Sequence, residues 1–305
     1  MKTPLLSLLV CALVAAAPAS ASTPADTASS PPDTLAPPGT LAPTGTMAKV
    51  AETGAFVIGF REDARPFSYR DSEGNPAGYS VDLCRRIAAV VKEASGRETI
   101  DVQFVAVAAD NRIAAVQSGE IDIMCGATTD TLERRAEVDF TQHIFITGAE
   151  MLVKTDSGID DIGGLSGKKV GVLNGTTTEV AVRDGLKAGM IDAEVVSFAQ
   201  HEEGLAAVED GAVDAYFADR ILLLGLGQLA KDPATLQLSG RFYSYEPYAL
   251  MLRRGDNDLR LAANTALANL YRTGQIWEIY RKHFGDAEPS DLLVTMFILG
   301  GVPVR

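Results

Sequence analysis

The sequence predicts an α/β fold in two lobes, each a mostly parallel sheet covered by helices. Three observations support this fold class. Predicted strands and helices alternate from residue 55 onward, as is typical of parallel sheets whose strands are connected by helices. The alternation starts again at Lys168, which favours two lobes over one large sheet. The chain has 305 residues, of which 47% are apolar, and this is enough for two domains of ordinary size.

The first half of the pattern contains three strands and two helices. The strands are predicted at 56–60, 100–107 and 121–125, and the helices begin at the capping residues Ser80 and Asp110. In the first helix, Cys84, Ile87, Ala88 and Val91 recur at the spacing that places apolar side chains on one face. Glycines at 96 and 119 end the two helices.

The second half repeats this pattern. Strands are predicted at 168–173, 193–197, 213–217 and 248–252, with helices from 176, at 202–209, from 219 and across 258–284. In open α/β sheets, ligands bind beyond the carboxyl ends of the strands. The loops of interest are therefore 61–70, 126–134, 174–179 and 217–220, because each follows a predicted strand.

The N-terminal residues have a different composition from the rest of the chain. Residues 1–21 predict a secretory signal peptide, with a basic start, an apolar stretch and small residues before a cleavage after about Ala21. Residues 22–54 are rich in Pro, Thr and Ala, and we expect them to form a disordered tether. No later apolar run has the length needed to span a bilayer. We therefore expect an exported and soluble protein.

Charge and cysteine content limit the possible partners. The net charge is −13 and the pI is about 4.7, and the chain lacks the basic footprint of a nucleic-acid-binding protein. An anionic membrane surface would repel it as well. No Cys or His pair has the spacing of metal ligands, so we expect no metal or cofactor. Two interpretations of Cys84 and Cys125 stay open, namely a disulfide and a pair of buried thiols.

Residues 126–135, GATTDTLERR, form the candidate binding segment. Thr128 and Thr129 bring hydroxyls, the turn brings backbone N–H groups, and Arg134 brings a guanidinium that can hold a carboxylate through two parallel hydrogen bonds. The helix start after Asn174 offers further N–H groups to an anion. Structural interpretations stay open as well: Arg134 as a surface residue of a first helical turn, and Asp219 as a helix N-cap.

The motifs of common enzymes are incomplete in this chain. Residues 171–180, GVLNGTTTEV, have the two glycines of a phosphate-binding loop but lack the lysine that should follow the second. Residues 164–168, GLSGK, do not have the spacing of a nucleophile elbow. Spacing alone places no two acids opposite each other for acid–base chemistry. We therefore expect no catalytic residues and no enzyme activity.

Four stretches of the chain carry a family resemblance: NRIAAVQSGEIDIMCGATTDTLERRAEVDFTQHIFITGAEMLVK, LSGKKVGVLNGTTTEV, VDAYFADRILL and EPYALMLRRGD. They resemble the periplasmic polar amino-acid-binding proteins of ABC importers, the family 3 solute-binding proteins, and most of all the glutamate/aspartate-binding subgroup. The resemblance covers roughly residues 55–285. It implies a type II periplasmic-binding-protein fold, a monomer whose two lobes close over a free amino acid, and delivery to an inner-membrane permease.

The resemblance also implies roles for individual residues. It implies an α-carboxylate site of arginine, hydroxyl and backbone N–H groups, an acid for the α-ammonium group, and a basic end for an acidic side chain. Ala127 departs from the family, because many relatives have a serine there. The α-carboxylate residues would be Thr129, Arg134, Thr176 and Thr177, the acid would be Asp219, and the side-chain residues would be Arg61, Arg112 and His201. Thr128 and Gly175 are further predicted ligand-binding residues.

The resemblance further implies how the chain is divided. Lobe 1 would contain residues 55–147 and 248–288, lobe 2 would contain 148–247, and 289–305 would form a C-terminal tail, with a hinge at the two crossings. An alternative function is an exported cyclohexadienyl dehydratase acting on prephenate or arogenate, which the same fold could support. The sensing half of a receptor is a further alternative, but the sequence predicts no membrane span or signalling domain for it.

Overall fold

The computed structural model describes residues 43–303. The strands are β1 (Ala55–Phe60), β2 (Asp63–Ala64), β3 (Ser68–Arg70), β4 (Pro76–Ala77), β5 (Asp101–Ala106), β6 (Ile123–Cys125), β7 (Val138–Thr147), β8 (Ala149–Lys154), β9 (Lys169–Leu173), β10 (Glu194–Phe198), β11 (Ala215–Asp219), β12 (Leu236–Leu238) and β13 (Glu246–Arg253). The helices are α1 (Gly45–Thr53), α2 (Tyr79–Ala94), α3 (Arg112–Ser118), α4 (Leu132–Arg135), α5 (Thr177–Ala188), α6 (His201–Glu209), α7 (Arg220–Gly227), α8 (Asn257–Thr273), α9 (Ile276–Phe284) and α10 (Asp291–Gly300).

Two five-stranded sheets form the centres of two lobes, which confirms the predicted α/β fold. The sheet of lobe 1 has the order β5-β1-β6-β13-β7, and the sheet of lobe 2 has the order β10-β9-β11-β8-β12. Each sheet has two parallel and two antiparallel pairings, so the sheets are mixed and not mostly parallel. Strands joined by crossover helices run parallel, whereas β8 and β13, which carry the chain from one lobe to the other, run antiparallel to their neighbours.

The chain crosses between the lobes at two adjacent points. Gly148 is the single residue between β7 and β8, and β13 begins the return at Glu246, which pairs with Thr147. A Cβ atom at Gly148 would lie 2.5 Å from the carbonyl oxygen of Ser244, so a side chain is excluded where the two strands cross. This pair of strands is the connection between the two lobes.

The predicted tether is wrong for its last residues, because α1 is an ordered helix packed on lobe 1. Met47 and Val50 are buried, and the Lys49 ammonium lies 2.7 Å from the Asp122 carboxylate. Apolar side chains three positions apart give this short segment one buried face, a signal that the average composition of residues 22–54 conceals. The predicted signal peptide and the tether up to residue 42 lie outside the described residues.

A disulfide joins Cys84 of α2 to Cys125 at the end of β6, with their Cα atoms 6.3 Å apart. The two cysteines therefore form a disulfide and are not a pair of buried thiols. It attaches the central helix of lobe 1 to the strand that leads into the candidate binding segment. The C-terminal tail forms α10, which buries Leu293 and Phe297 against lobe 1. Within residues 43–303, every helix is too short or too polar to span a membrane.

Candidate functional site

Facing strand ends from the two lobes surround one cavity. Phe60 of β1 pairs with Cys125 of β6, so the loops that follow these strands leave lobe 1 side by side. Likewise β9 and β11 are neighbours in lobe 2 and end at the opposite wall. The cavity is small and is lined by Arg61, Arg112, Ala127, Thr129, Leu173, Thr176, Thr177, Thr178, His201, Phe217, Ala218, Asp219 and Leu222.

One end of the cavity carries two buried arginines. Arg61 and Arg112 are each 3% exposed. Arg61 Nη2 lies 2.5 Å from Asp63 Oδ1, and this ion pair balances its charge. Arg112 donates from Nη2 to the Gly175 carbonyl oxygen of lobe 2 at 3.4 Å, but its Nε and Nη1 have no hydrogen-bond partner among residues 43–303. Burial, together with the charges of Arg134 and Arg61, lowers the pKa of Arg112 well below its ordinary value.

His201 lies at the same end and is uncharged at neutral pH. It is the first residue of α6, and its backbone N–H donates to Asp63 of lobe 1 at 3.2 Å. Its Nδ1 lies 2.8 Å from the Tyr216 hydroxyl. Burial lowers the pKa of His201 to about 4, since a charged imidazole would lose its hydration there. His201 can therefore exchange hydrogen bonds with a ligand but does not add a positive charge.

Asp219 lies at the other end of the cavity, where β11 ends and α7 begins. Asp219 occupies the N-cap position of α7, but its side chain makes no capping hydrogen bond to that helix. It accepts a hydrogen bond from the Thr178 hydroxyl at 2.9 Å and another from the Tyr248 hydroxyl. Burial, and after it the negative charge of Glu246, raises the pKa of Asp219 to about 7. A ligand ammonium group would stabilise the ionised carboxylate.

Arg134 does not line this cavity with the other arginines. It is buried, not on the surface, and its Nη1 donates to the Thr129 carbonyl oxygen at 2.9 Å. Its side chain borders an adjoining space between the lobes, together with Glu246 and Gly175. Thr129, Thr176 and Thr177 border both spaces. Thr128 is buried but lines neither of the two.

Glu246 is a site residue that the sequence analysis missed. Its buried carboxylate accepts hydrogen bonds from Thr129 of lobe 1, from Thr177 of lobe 2 at 2.7 Å and from Ser244 at 2.5 Å. Its signal in the sequence is an acid at the start of an otherwise apolar strand. Four further residues, not predicted from the sequence, hold the predicted ones in place. Asp63 could have been predicted, because an acid two positions after Arg61 can pair with it. Tyr216, Tyr248 and Thr178 have no distinguishing sequence signal.

The sequence and the fold of the chain are similar to those of known proteins. Residues 56–286 match the family described as bacterial extracellular solute-binding proteins, family 3. The chain is 36% identical over 245 residues to the L-glutamate/L-aspartate-binding protein of Pseudomonas aeruginosa, covering 79% of this chain and 80% of that one. It is 31% identical over 251 residues to the glutamate/aspartate import solute-binding protein of Salmonella typhimurium, covering 82% and 83%.

A solved structure gives a similar result. The crystal structure of an ancestral amino acid-binding protein, a precursor of cyclohexadienyl dehydratase, has a TM-score of 0.68 and 28% sequence identity, covering 79% of this chain and 100% of that one. The family match spans most of the chain, and the two-lobed fold with a site between facing strand ends agrees with it. The chain belongs to family 3 of the bacterial extracellular solute-binding proteins.

Proposed function

We propose that the protein binds free glutamate or aspartate between its lobes and delivers it to an ABC-type import permease. Arg112 carries this proposal, because it is buried with two guanidinium nitrogens that lack partners among residues 43–303. A buried cation is costly unless an anion pairs with it, and the side-chain carboxylate of an acidic amino acid is such an anion. The names of the two bacterial relatives support the same ligands.

The other end of the cavity suits the backbone groups of an amino acid. Asp219 would pair with the α-ammonium group, and the N–H groups that begin α5 at Thr177 would hold the α-carboxylate. Arg134 lies on the far side of Thr129 and would reach the same carboxylate by a movement of its side chain. Ala127 supplies no hydroxyl here, so the α-ammonium group would depend more strongly on Asp219.

Binding would favour closure of the lobes, because the proposed ligand contacts come from both. Lobe 1 provides Arg61, Arg112 and Thr129, whereas lobe 2 provides Thr177, His201 and Asp219. A ligand that contacts both lobes binds the closed state more tightly and so shifts the population toward it. In this proposal the chain is exported through the signal peptide, acts in the periplasm as a monomer and performs no chemistry.

Calorimetric titration tests the proposal. Residues 22–305 are purified, unfolded and refolded to remove retained ligand, then titrated with glutamate, aspartate, glutamine, asparagine, histidine and arginine. We expect the acidic amino acids to bind most tightly. The Arg112→Gln variant should lose most of this affinity, whereas Arg135→Gln, which changes an arginine that is 53% exposed, should bind like the wild type. Binding restricted to neutral or basic amino acids would contradict the proposed ligand.

A second candidate function is dehydration of a cyclic dicarboxylate. The similarity to a precursor of cyclohexadienyl dehydratase favours it, as does Asp219, since a carboxyl group with a pKa of about 7 can transfer protons near neutral pH. Incubation with prephenate or arogenate would show this activity as the new absorbance of an aromatic product. Unchanged absorbance together with tight glutamate binding would leave the transport function.

A further inference from the structure

Asp63 is a buried acid at the basic end of the cavity, and its contacts extend to both lobes. It lies in β2 of lobe 1, directly behind the cavity residue Arg61. One carboxylate oxygen, Oδ1, lies 2.5 Å from Arg61 Nη2, and the other, Oδ2, accepts the backbone N–H of His201 from lobe 2 at 3.2 Å. The same carboxylate therefore holds one cavity residue from each lobe.

The charge at this end of the cavity depends on Asp63. Arg61 and Arg112 contribute two positive charges, Asp63 contributes one negative charge, and His201 is neutral. Glu202 and Arg134 also act on these residues, and neither changes when Asp63 is replaced. Removing the Asp63 carboxylate therefore makes the charge of this end more positive by one unit. Arg61, Arg112 and Asp63 are all buried, so water screens them only weakly and one unit of charge has a large effect on a neighbouring ligand group.

We propose that Asp63 determines how strongly the site distinguishes an acidic side chain from its amide. This inference rests on the proposed function and assigns a specificity residue to it. Asp63 orients Arg61 for hydrogen bonding, which serves a carboxylate and an amide oxygen alike. By balancing the charge of Arg61, it also lowers the electrostatic preference for the carboxylate. The site keeps a preference for glutamate through Arg112 alone, and glutamine remains a competing ligand.

The Asp63→Asn variant tests this role. Asparagine is close in size and keeps an oxygen that can accept the His201 N–H, but it removes the charge. We expect the ratio of the glutamine Kd to the glutamate Kd to rise by about tenfold, as for the removal of one nearby buried charge. A purely structural role would weaken both ligands together and leave the ratio unchanged. The measurement is calorimetric titration of each variant with both amino acids.

Glu62→Gln is the matched control. It removes the same charge from the neighbouring residue, whose side chain is 44% exposed and pairs with Arg70 at the surface. Its ratio of dissociation constants should equal that of the wild type, because water screens exposed charges.

A second pair of variants tests the same carboxylate independently of the stability of Asp63→Asn. Arg61→Gln makes the charge of the basic end more negative by one unit, and the double variant Arg61→Gln/Asp63→Asn restores the wild-type charge without leaving Arg61 or Asp63 unpaired. The double variant should show the larger ratio of glutamine to glutamate dissociation constants. Equal ratios in this pair would overturn the role of Asp63 while leaving glutamate binding intact. A wild-type protein that binds neither amino acid would overturn the proposed function and this inference together.

Discussion

At the scale of single residues, Asp219 has two opposing requirements. Its carboxyl group is removed from water and lies near a second acid, so its pKa rises to about 7 and the protonated and ionised forms are both populated near neutral pH. The proposed role at the ligand ammonium group requires the ionised form. Ligand binding should therefore be coupled to loss of this proton. When a group has different pKa values in the free and the bound protein, the binding equilibrium depends on pH.

The affinity for amino acids should depend on pH through Asp219. Its pKa in the unliganded protein is about 7, above its ordinary value, so the group is protonated below pH 7 and ionised above it. The ligand ammonium group favours the ionised form. We therefore expect the apparent Kd to rise up to about tenfold for each pH unit below 7 and to be nearly constant above it. Titrations between pH 5.5 and 8.5 would measure this profile.

The Asp219→Asn variant is the control for this profile. It should bind weakly at all pH values and lose the dependence, because the titrating group is gone while the shape is kept. A wild-type Kd that stays constant from pH 5.5 to 8.5 would contradict both the raised pKa and the proposed contact with the ammonium group.

The residues that could be predicted from the sequence are those whose position follows from strand order. Arg61, Thr129, Thr176 and Asp219 each follow a predicted strand, and the carboxyl ends of parallel strands meet at one edge of a sheet. The roles of Asp63 and Glu246 could not be predicted this way. Asp63 contacts a residue 138 positions away, and Glu246 contacts one 117 positions away, and no local pattern determines such distances.

At the scale of elements, the sequence predicted most strands and helices but not how they pair. The segments 168–173 and 248–252 were predicted within a few residues, because continuous apolar runs indicate buried strands. The direction of a strand relative to its neighbours could not be predicted in this way. Strand β13 is antiparallel to both of its neighbours because the chain returns through it from lobe 2, and this depends on the path of the whole chain. Helix α1 was missed because its two buried apolar residues, Met47 and Val50, follow a long segment rich in Pro, Thr and Ala.

The disulfide gives a prediction at this scale. It closes a loop with a sequence separation of 41 residues between α2 and β6. Since a cross-link restricts the unfolded chain, its removal should lower the free energy of unfolding of lobe 1 by about 4 kcal/mol. Urea unfolding of the oxidised wild type, the reduced wild type and the Cys84→Ala/Cys125→Ala variant would measure this. Identical unfolding curves before and after reduction would contradict it.

At the scale of the whole molecule, the lobes meet through backbone as well as side chains. Gly175 of lobe 2 has φ of +71°, and a Cβ atom there would lie 2.9 Å from the Cα of Asp110 in lobe 1. The same glycine accepts the cross-lobe hydrogen bond from Arg112. Position 175 therefore needs a glycine for two reasons: the backbone is left-handed there, and the other lobe leaves no space for a side chain.

The Gly175→Ala variant should close poorly. An alanine in this left-handed backbone conformation would be strained by about 1 kcal/mol. Its methyl group would also collide with lobe 1 when the two lobes are in contact. We expect glutamate affinity to fall by more than about tenfold, and X-ray scattering with ligand should show a larger radius of gyration than for the wild type. Gly167→Ala is the matched control, because Gly167 has φ of +73° and open space around its Cβ position. Equal losses of affinity in both variants would show that backbone strain, not closure, is responsible.

The pairing of Thr147 with Glu246 has a further consequence for the engineering of chimaeric proteins. The chain leaves lobe 1 and returns to it at neighbouring points, so lobe 2 is a continuous insert whose two ends lie side by side. Recombination at these two points could exchange the entire insert for that of a relative without rethreading lobe 1. Because Arg61 and Arg112 belong to lobe 1 and His201 and Asp219 to lobe 2, such chimaeras would combine the two arginines of one parent with the histidine and the proposed ammonium-binding acid of another.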